Sequence, residues 1–169
     1  QGEYFHAAQN LLKLKNLPDR HNSSLVNYYL GKMRLYGYGM LKNNEIALKY
    51  LTQAGDQGLL PAQQWLAKYY LFINKPDIAL NWFKKAAGQA DYPSQMYAAA
   101  AYLFGYGTQK NPDIARRFCI DAARSGNALA QYTLAMDFLN SRDNQNRKMG
   151  VIWLNKAVDQ GYVNAEYKL

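Results

Sequence analysis

The chain has 169 residues, 49% of them hydrophobic and 19% charged, with 20 Lys and Arg against 12 Asp and Glu for a net charge of +8. That much apolar surface offsets the entropy of ordering the chain, so disorder is excluded. No apolar run approaches the roughly 20 residues of a spanning helix, which excludes membrane insertion by that route. The one cysteine, Cys119, excludes an intramolecular disulfide and a cysteine-built zinc site.

In chain order, Tyr4 to Leu14 reads as a helix. Glu3, His6, Lys13 and Lys15 are scattered through the first residues, so they do not form a signal peptide. Asn22-Ser23-Ser24 matches a glycosylation sequon, but a helix cap before Leu25 is the better reading. The next helices are expected near 24–36 and 43–57, separated by Leu35-Tyr36-Gly37-Tyr38-Gly39. Closely spaced glycines supply backbone angles that other residues resist. Further helices follow near 60–73 and 76–89, with Ile73-Asn74-Lys75-Pro76 between them. A third pair lies near 92–104 and 111–125, joined by a second glycine turn, Leu103-Phe104-Gly105-Tyr106-Gly107. Asn111 is placed to cap the helix that begins at Pro112. A fourth pair is expected near 128–140 and 145–160, and Asn164 begins one more helix. No strand pattern occurs.

These pairs are copies of one unit. Ala47-Leu-Lys-Tyr50, Ala79-Leu-Asn-Trp82, Ala115-Arg-Arg-Phe118 and Gly150-Val-Ile-Trp153 open the second helices in one register. Each continues with apolar and small residues at i+4 and i+7, one face of a helix. A helix stop follows at Gly58, Ala90, Gly126 and Gly161, and the first helix of the next unit opens at Ala62, Ser94, Ala130 and Ala165. A small residue, Gly31, Ala67, Ala99 or Ala135, recurs where a neighbouring helix must come close. An aromatic follows at Tyr70, Tyr102 and Phe138, with Arg34 as the departure.

The Leu30-Gly31 pair, the two Gly-x-Gly turns, the Ala-x-x-Trp helices and the Ala-Ala…Gly endings resemble the Sel-one-like repeat (SLR) family, a relative of the tetratricopeptide repeat. The expected fold is an all-α solenoid of antiparallel helix pairs. It comprises an N-terminal helix and linker (1–24), four repeats (25–59, 60–91, 92–127, 128–161) and the start of a truncated further repeat (162–169). The missing initial Met and the ending within a repeat suggest a fragment. The resemblance implies a right-handed superhelix with the first helices on its concave side.

At about 100° per residue, the face of those helices turned away from Val26, Leu30 and Gly31 carries Tyr28, Lys32, Leu35 and Tyr36. Its counterparts are Gln64, Lys68, Leu71 and Phe72, then Met96, Ala100, Leu103 and Phe104, then Tyr132, Met136, Leu139 and Asn140. A face not needed for packing should be polar. One rich in Tyr, Phe, Met and Lys suits protein binding. The expected partner-binding residues are Tyr28, Lys32, Tyr36, Gln64, Lys68, Phe72, Met96, Phe104, Tyr132 and Met136. The other reading, strongest for Leu35, Leu71, Leu103 and Phe104, is burial against the next repeat.

No catalytic, phosphate-binding or metal-ligand spacing occurs. His6 and His21 each lack a second ligand at metal spacing. Cys119 aligns with Leu51, Phe83 and Leu154 and is expected to be buried and unreactive. An RNA code of one base per repeat needs polar residues at fixed places, and Tyr28, Gln64, Met96 and Tyr132 do not form one. The expectation is a non-enzymatic scaffold or adaptor, monomeric, needing no cofactor or metal, with a protein partner and no nucleic acid. Family resemblance, with the enhanced-entry proteins of intracellular bacteria as one such group, implies a bacterial envelope, periplasmic or secreted host-interaction setting. The alternative is a regulatory module that binds a cell-wall enzyme or glycan.

Overall fold

Helix starts in this chain are written by short polar side chains. The side-chain oxygens of Asn43, Asn111 and Asn127 accept the backbone N–H three residues on, at 2.9, 3.0 and 2.7 Å, and Asp91 does the same for Ser94. Pro93 and Pro112 occupy the first turns after Asp91 and Asn111, and Pro61 and Pro76 stand in the first turns of two helices that have no side-chain cap. In a first turn a missing N–H costs nothing.

A computed structural model describes residues 2–15 and 20–168, with the backbone alone for 20–23. The helices are α1 (Gly2–Lys15), α2 (Arg20–Tyr36), α3 (Asn44–Asp56), α4 (Leu60–Phe72), α5 (Pro76–Ala87), α6 (Tyr92–Phe104), α7 (Pro112–Arg124), α8 (Ala128–Leu139), α9 (Asn144–Val158) and α10 (Val163–Glu166). No strand occurs among the described residues. The all-α repeat architecture expected from the sequence is therefore what the chain adopts. One cap differs. The backbone is already helical at Arg20, so Asn22-Ser23-Ser24 lies inside α2 and does not start it. The side chain of His21, like those of Asn22 and Ser23, lies outside the described residues.

The chain divides into two compact units, 1–74 and 75–169. In the first, α1 packs on α2, α2 on α3 and α3 on α4. Val26, Leu30, Leu51 and Leu66 form its buried interior with Ala47, Ala54 and Ala62. Close approach of α2 to α3 depends on Gly31, where a Cβ would stand 2.7 Å from Leu51 Cγ. In the second unit, α5 through α9 pack in succession and α10 rests on α9. Leu80, Ala98 and Ala101 form one buried cluster, Ala122, Ala123, Ala130 and Leu134 a second, and Ala135, Leu154, Ala157 and Ala165 a third.

The Gly-x-Gly turns show what the register means in space. Gly39 and Gly107 have φ of 65° and 72°. A Cβ on Gly39 would collide with the backbone of Tyr4 and Phe5, and one on Gly107 with the backbone of Pro76 and Asp77. The two contacts are atom for atom the same. Against α2, α1 thus takes the place that α5 takes against α6, although its sequence matches the repeat poorly.

Candidate protein-interaction site

The second unit holds a cleft of about 340 Å³ between α6 and α8, floored by α7. Met96, Ala100, Leu103 and Phe104 of α6 form one wall, Thr133, Leu134 and Asp137 of α8 the other, and Ala115 and Cys119 the floor. At the rim, Arg116 Nη2 pairs with Asp137 Oδ2 at 3.2 Å, the two side chains 62% and 49% exposed. The arrangement is an apolar slot with one polar edge. It has the chemistry to take an apolar side chain while the edge meets polar groups beside it.

Register explains why the slot is open. Thr133 aligns with Tyr29, Trp65 and Tyr97, and Asp137 with Met33, Tyr69 and Ala101. In the first unit Trp65 and Tyr69 stack, ring centroids 5.2 Å apart and planes at 10°. In α8 a threonine and an aspartate stand at those two places, and the smaller side chains leave space. This also corrects the expectation for Cys119. Leu51, Phe83 and Leu154 are buried, but Cys119 is half-buried because it faces the slot. Its Sγ lies 3.9 Å from the Ala130 carbonyl oxygen. Burial pushes its thiol above the usual range, and the Asp137 carboxylate adds to the shift. Low reactivity at neutral pH follows.

None of the ten expected binding residues is buried. Tyr36, Lys68, Phe72 and Phe104 are exposed, Phe72 at 88% and Phe104 at 69%, and the other six are half-buried. The cleft brings Met96 and Phe104 together. Tyr132 is engaged elsewhere, 5.4 Å from the Tyr162 ring and against the Ala135–Leu154 cluster. The Lys32 ammonium stands 5.4 Å from the Tyr28 ring, and Tyr36 contacts Tyr38, which stacks on Tyr4. Of the leucines open to both readings, Leu35 and Leu71 are half-buried and Leu103 is 49% exposed. Sequence reasoning missed Thr133, Asp137 and Arg116. Their signal was present as polar residues at places the other repeats fill with apolar or aromatic ones. Thr133 stands against Tyr29, Trp65 and Tyr97, Asp137 against Met33, Tyr69 and Ala101, and Arg116 against Leu48, Leu80 and Val151.

Among the described residues no group of His, Cys, Asp and Glu is placed to hold a metal ion, and no helix is long and apolar enough to cross a membrane.

The Sel1 repeat model matches residues 24–59, 61–91, 93–127 and 128–162. No curated protein matches the sequence. Among solved structures, a protective antigen of uropathogenic Escherichia coli with an SLR fold superposes with a TM-score of 0.69 at 20% identity, over 98% of this chain and 40% of its own. A Sel1 repeat protein from Oxalobacter formigenes gives 0.64 at 23%, over 98% and 68%. An immunity protein from Pseudomonas aeruginosa gives 0.50 at 14%, over 94% and 81%. These likenesses are of fold, and the chain spans two fifths of the E. coli antigen's length. With four matched repeats across most of its length and the helix-pair fold of solved Sel1 repeat structures, the chain belongs to the Sel1 repeat family.

Proposed function

We propose that the chain is a non-catalytic scaffold that holds a partner protein through the exposed faces of the first helices within each unit, with the α6–α8 cleft of the second unit as the anchor point. The observation that carries this reading is the cleft itself, an apolar slot of about 340 Å³ opened by Thr133 and Asp137. Exposed Phe104 and Leu103 at its edge support it, since apolar side chains in a pocket dominate the energetics of protein recognition. Sel1 repeat proteins are typically protein-interaction scaffolds, which is in keeping with it. A bacterial envelope or host-interaction setting belongs to the same proposal, and the protective antigen among the structural neighbours is consistent with it.

The test is capture from extracts with two immobilised proteins, the native chain and the Thr133→Trp/Asp137→Tyr variant, which puts aromatic bulk into the slot. A protein retained by the first and lost by the second, with both folded by circular dichroism, supports the proposal. Equal retention by both moves the partner off the cleft. Retention that requires added glycan transfers the reading to the glycan-binding alternative.

A further inference from the structure

A second groove, of about 600 Å³, lies in the first unit between α1, the end of α2 and the 39–41 loop. Phe5, Ala8, Leu12, Met40 and Leu41 line it, with Arg34. The repeat supplies an internal control for this surface. The Gly39 and Gly107 contacts equate Tyr4 with Pro76, so Phe5 corresponds to Asp77 and Leu12 to Lys84. The turn glycines equate Met40 with Thr108 and Leu41 with Gln109. At these four outer places the second unit has Asp, Lys, Thr and Gln, as a solvated surface should, while Leu80 and Tyr102 stand beneath them where the first unit has Ala8 and Arg34. The first unit builds the outer places from Phe, Leu, Met and Leu, with Phe5 51%, Leu12 39% and Leu41 85% exposed. Core packing does not ask for such residues there, because polar ones serve at the equivalent place.

Arg34 supplies the polar component. It stands where Tyr102 stacks on Phe118 with ring centroids 6.0 Å apart. Its Nη1 donates to the Leu41 carbonyl oxygen at 3.0 Å, which ties the loop to α2. Its Nε is closed off from solvent and has no acceptor. That N–H is not open to a ligand, but the guanidinium as a whole lines a partly apolar groove, where a positive charge favours a carboxylate over a neutral group. Charge in the segments that build the groove agrees. Among the described residues, Arg34 is the one charged group of its lining. Residues 2–15 and 32–43, which supply that lining, carry Lys13, Lys15, Lys32, Arg34 and Lys42 against Glu3 alone. Lys15 and Lys32 lie over the Tyr50 and Tyr28 rings. A second copy of this chain, at net +8, is electrostatically a poor occupant.

We propose that this groove is a separate docking site whose occupant is an acidic segment of another protein. An apolar side chain of that segment lies against Phe5, Leu12 and Leu41, and a neighbouring carboxylate meets Arg34. The probe is a displayed library of random dodecapeptides, selected on the native chain and followed by synthesis of the enriched peptides. The expected winners pair Leu, Ile, Phe or Trp with Asp or Glu within two positions. Their affinity falls roughly tenfold or more in Arg34→Gln, the scale of a lost charge-assisted contact. It falls similarly in Leu41→Glu, which adds a like charge at the groove. Leu41 is so exposed that its variant keeps the fold, so it decides the matter if Arg34→Gln does not fold. Enrichment without acidic residues, binding indifferent to Leu41→Glu, or no enrichment overturns the proposal. Concentration-dependent dimers abolished by Leu41→Glu overturn it in favour of a second copy.

Discussion

The side-chain amide of Gln131 donates to the carbonyl oxygen of Ala123 at 3.0 Å, across the turn that joins α7 to α8. Gln95 makes the same bond to Ala87 at 3.2 Å, and Gln63 to Gly55 at 2.9 Å. In each case a buried glutamine reaches back eight residues to the last turn of the preceding helix, where carbonyls lack intrahelical donors. Gln131 also accepts from Gln160 Nε2 at 2.7 Å. Replacing it with methionine keeps the volume and removes the donor. The Ala123 carbonyl still accepts the Gly126 N–H at 3.2 Å, so Gln131→Met is expected to cost about 0.5–1.5 kcal/mol, the net worth of one hydrogen bond. Urea unfolding followed by circular dichroism measures it, and an unchanged midpoint would show that the bond contributes nothing net.

Backbone angles give a pair of opposed expectations. Gly107 has φ of 72°, and a Cβ there would stand 2.5 Å from the Pro76 carbonyl carbon. Backbone cannot yield as a flexible side chain can, so Gly107→Ala is expected to cost on the order of 3 kcal/mol. Ala90 is the reverse case. Gly58, Gly126 and Gly161 close their repeats at positive φ, and Ala90 does so at 60° with a side chain that resists it. Ala90→Gly is expected to stabilise by about 0.5–1 kcal/mol. Thermal unfolding of the two variants separates the signs.

The binding-face assignment has its own check. Tyr36 is 51% exposed, Phe104 is 69% exposed and Lys68 is also exposed. Substitutions at such surface sites stay within about 0.5 kcal/mol each. The combined Tyr36→Ala, Lys68→Ala, Phe104→Ala variant is therefore expected to fold with a nearly native Tm. Cooperative unfolding lost at room temperature would make these residues core and reverse the face.

The helix pairs were legible because the repeat states its signals more than once, the helix face in all four copies, the glycine stop in three and the glycine turn in two. The Asn111-Pro112 start, the Ala-x-x-Trp face and the glycine stops agree in every copy that carries them, and α7 begins where that agreement put it. The place of α1 was not legible. Ala7, Leu11 and Leu14 match Ala79, Phe83 and Ala86 of α5, but Asn10 stands for Trp82 and Lys15 for Ala87, so the aromatic signature is lost and the backbone contact at Gly39 reveals the equivalence. The cleft was half legible. A face taken from helix angles names one side of each first helix, which found Met96 and Phe104. The opposite wall comes from the neighbouring helix one residue further round, at Thr133 and Asp137. That wall depends on which helix lies alongside, and periodicity within one helix does not contain it.

Tyr97 carries the last expectation. Its ring stacks on Phe83 with centroids 3.9 Å apart, and its hydroxyl is buried without a hydrogen-bond partner. Burial, with a smaller contribution from Tyr106, pushes its pKa up from 10.0 to about 12. A folded-state pKa raised above the unfolded one favours the folded chain fully below pH 10. That contribution is lost as pH rises through 10 towards 12, because the unfolded chain releases the proton first. Tyr97→Phe keeps the stack and removes both the unpaired hydroxyl and the titration. The variant is expected to match or exceed the native Tm at pH 7, and its advantage is expected to widen between pH 10 and 12. Parallel thermal melts across that range test both statements. A variant less stable at pH 7 would mean that the hydroxyl is satisfied in the folded chain, and a constant difference with pH would mean that Tyr97 titrates normally.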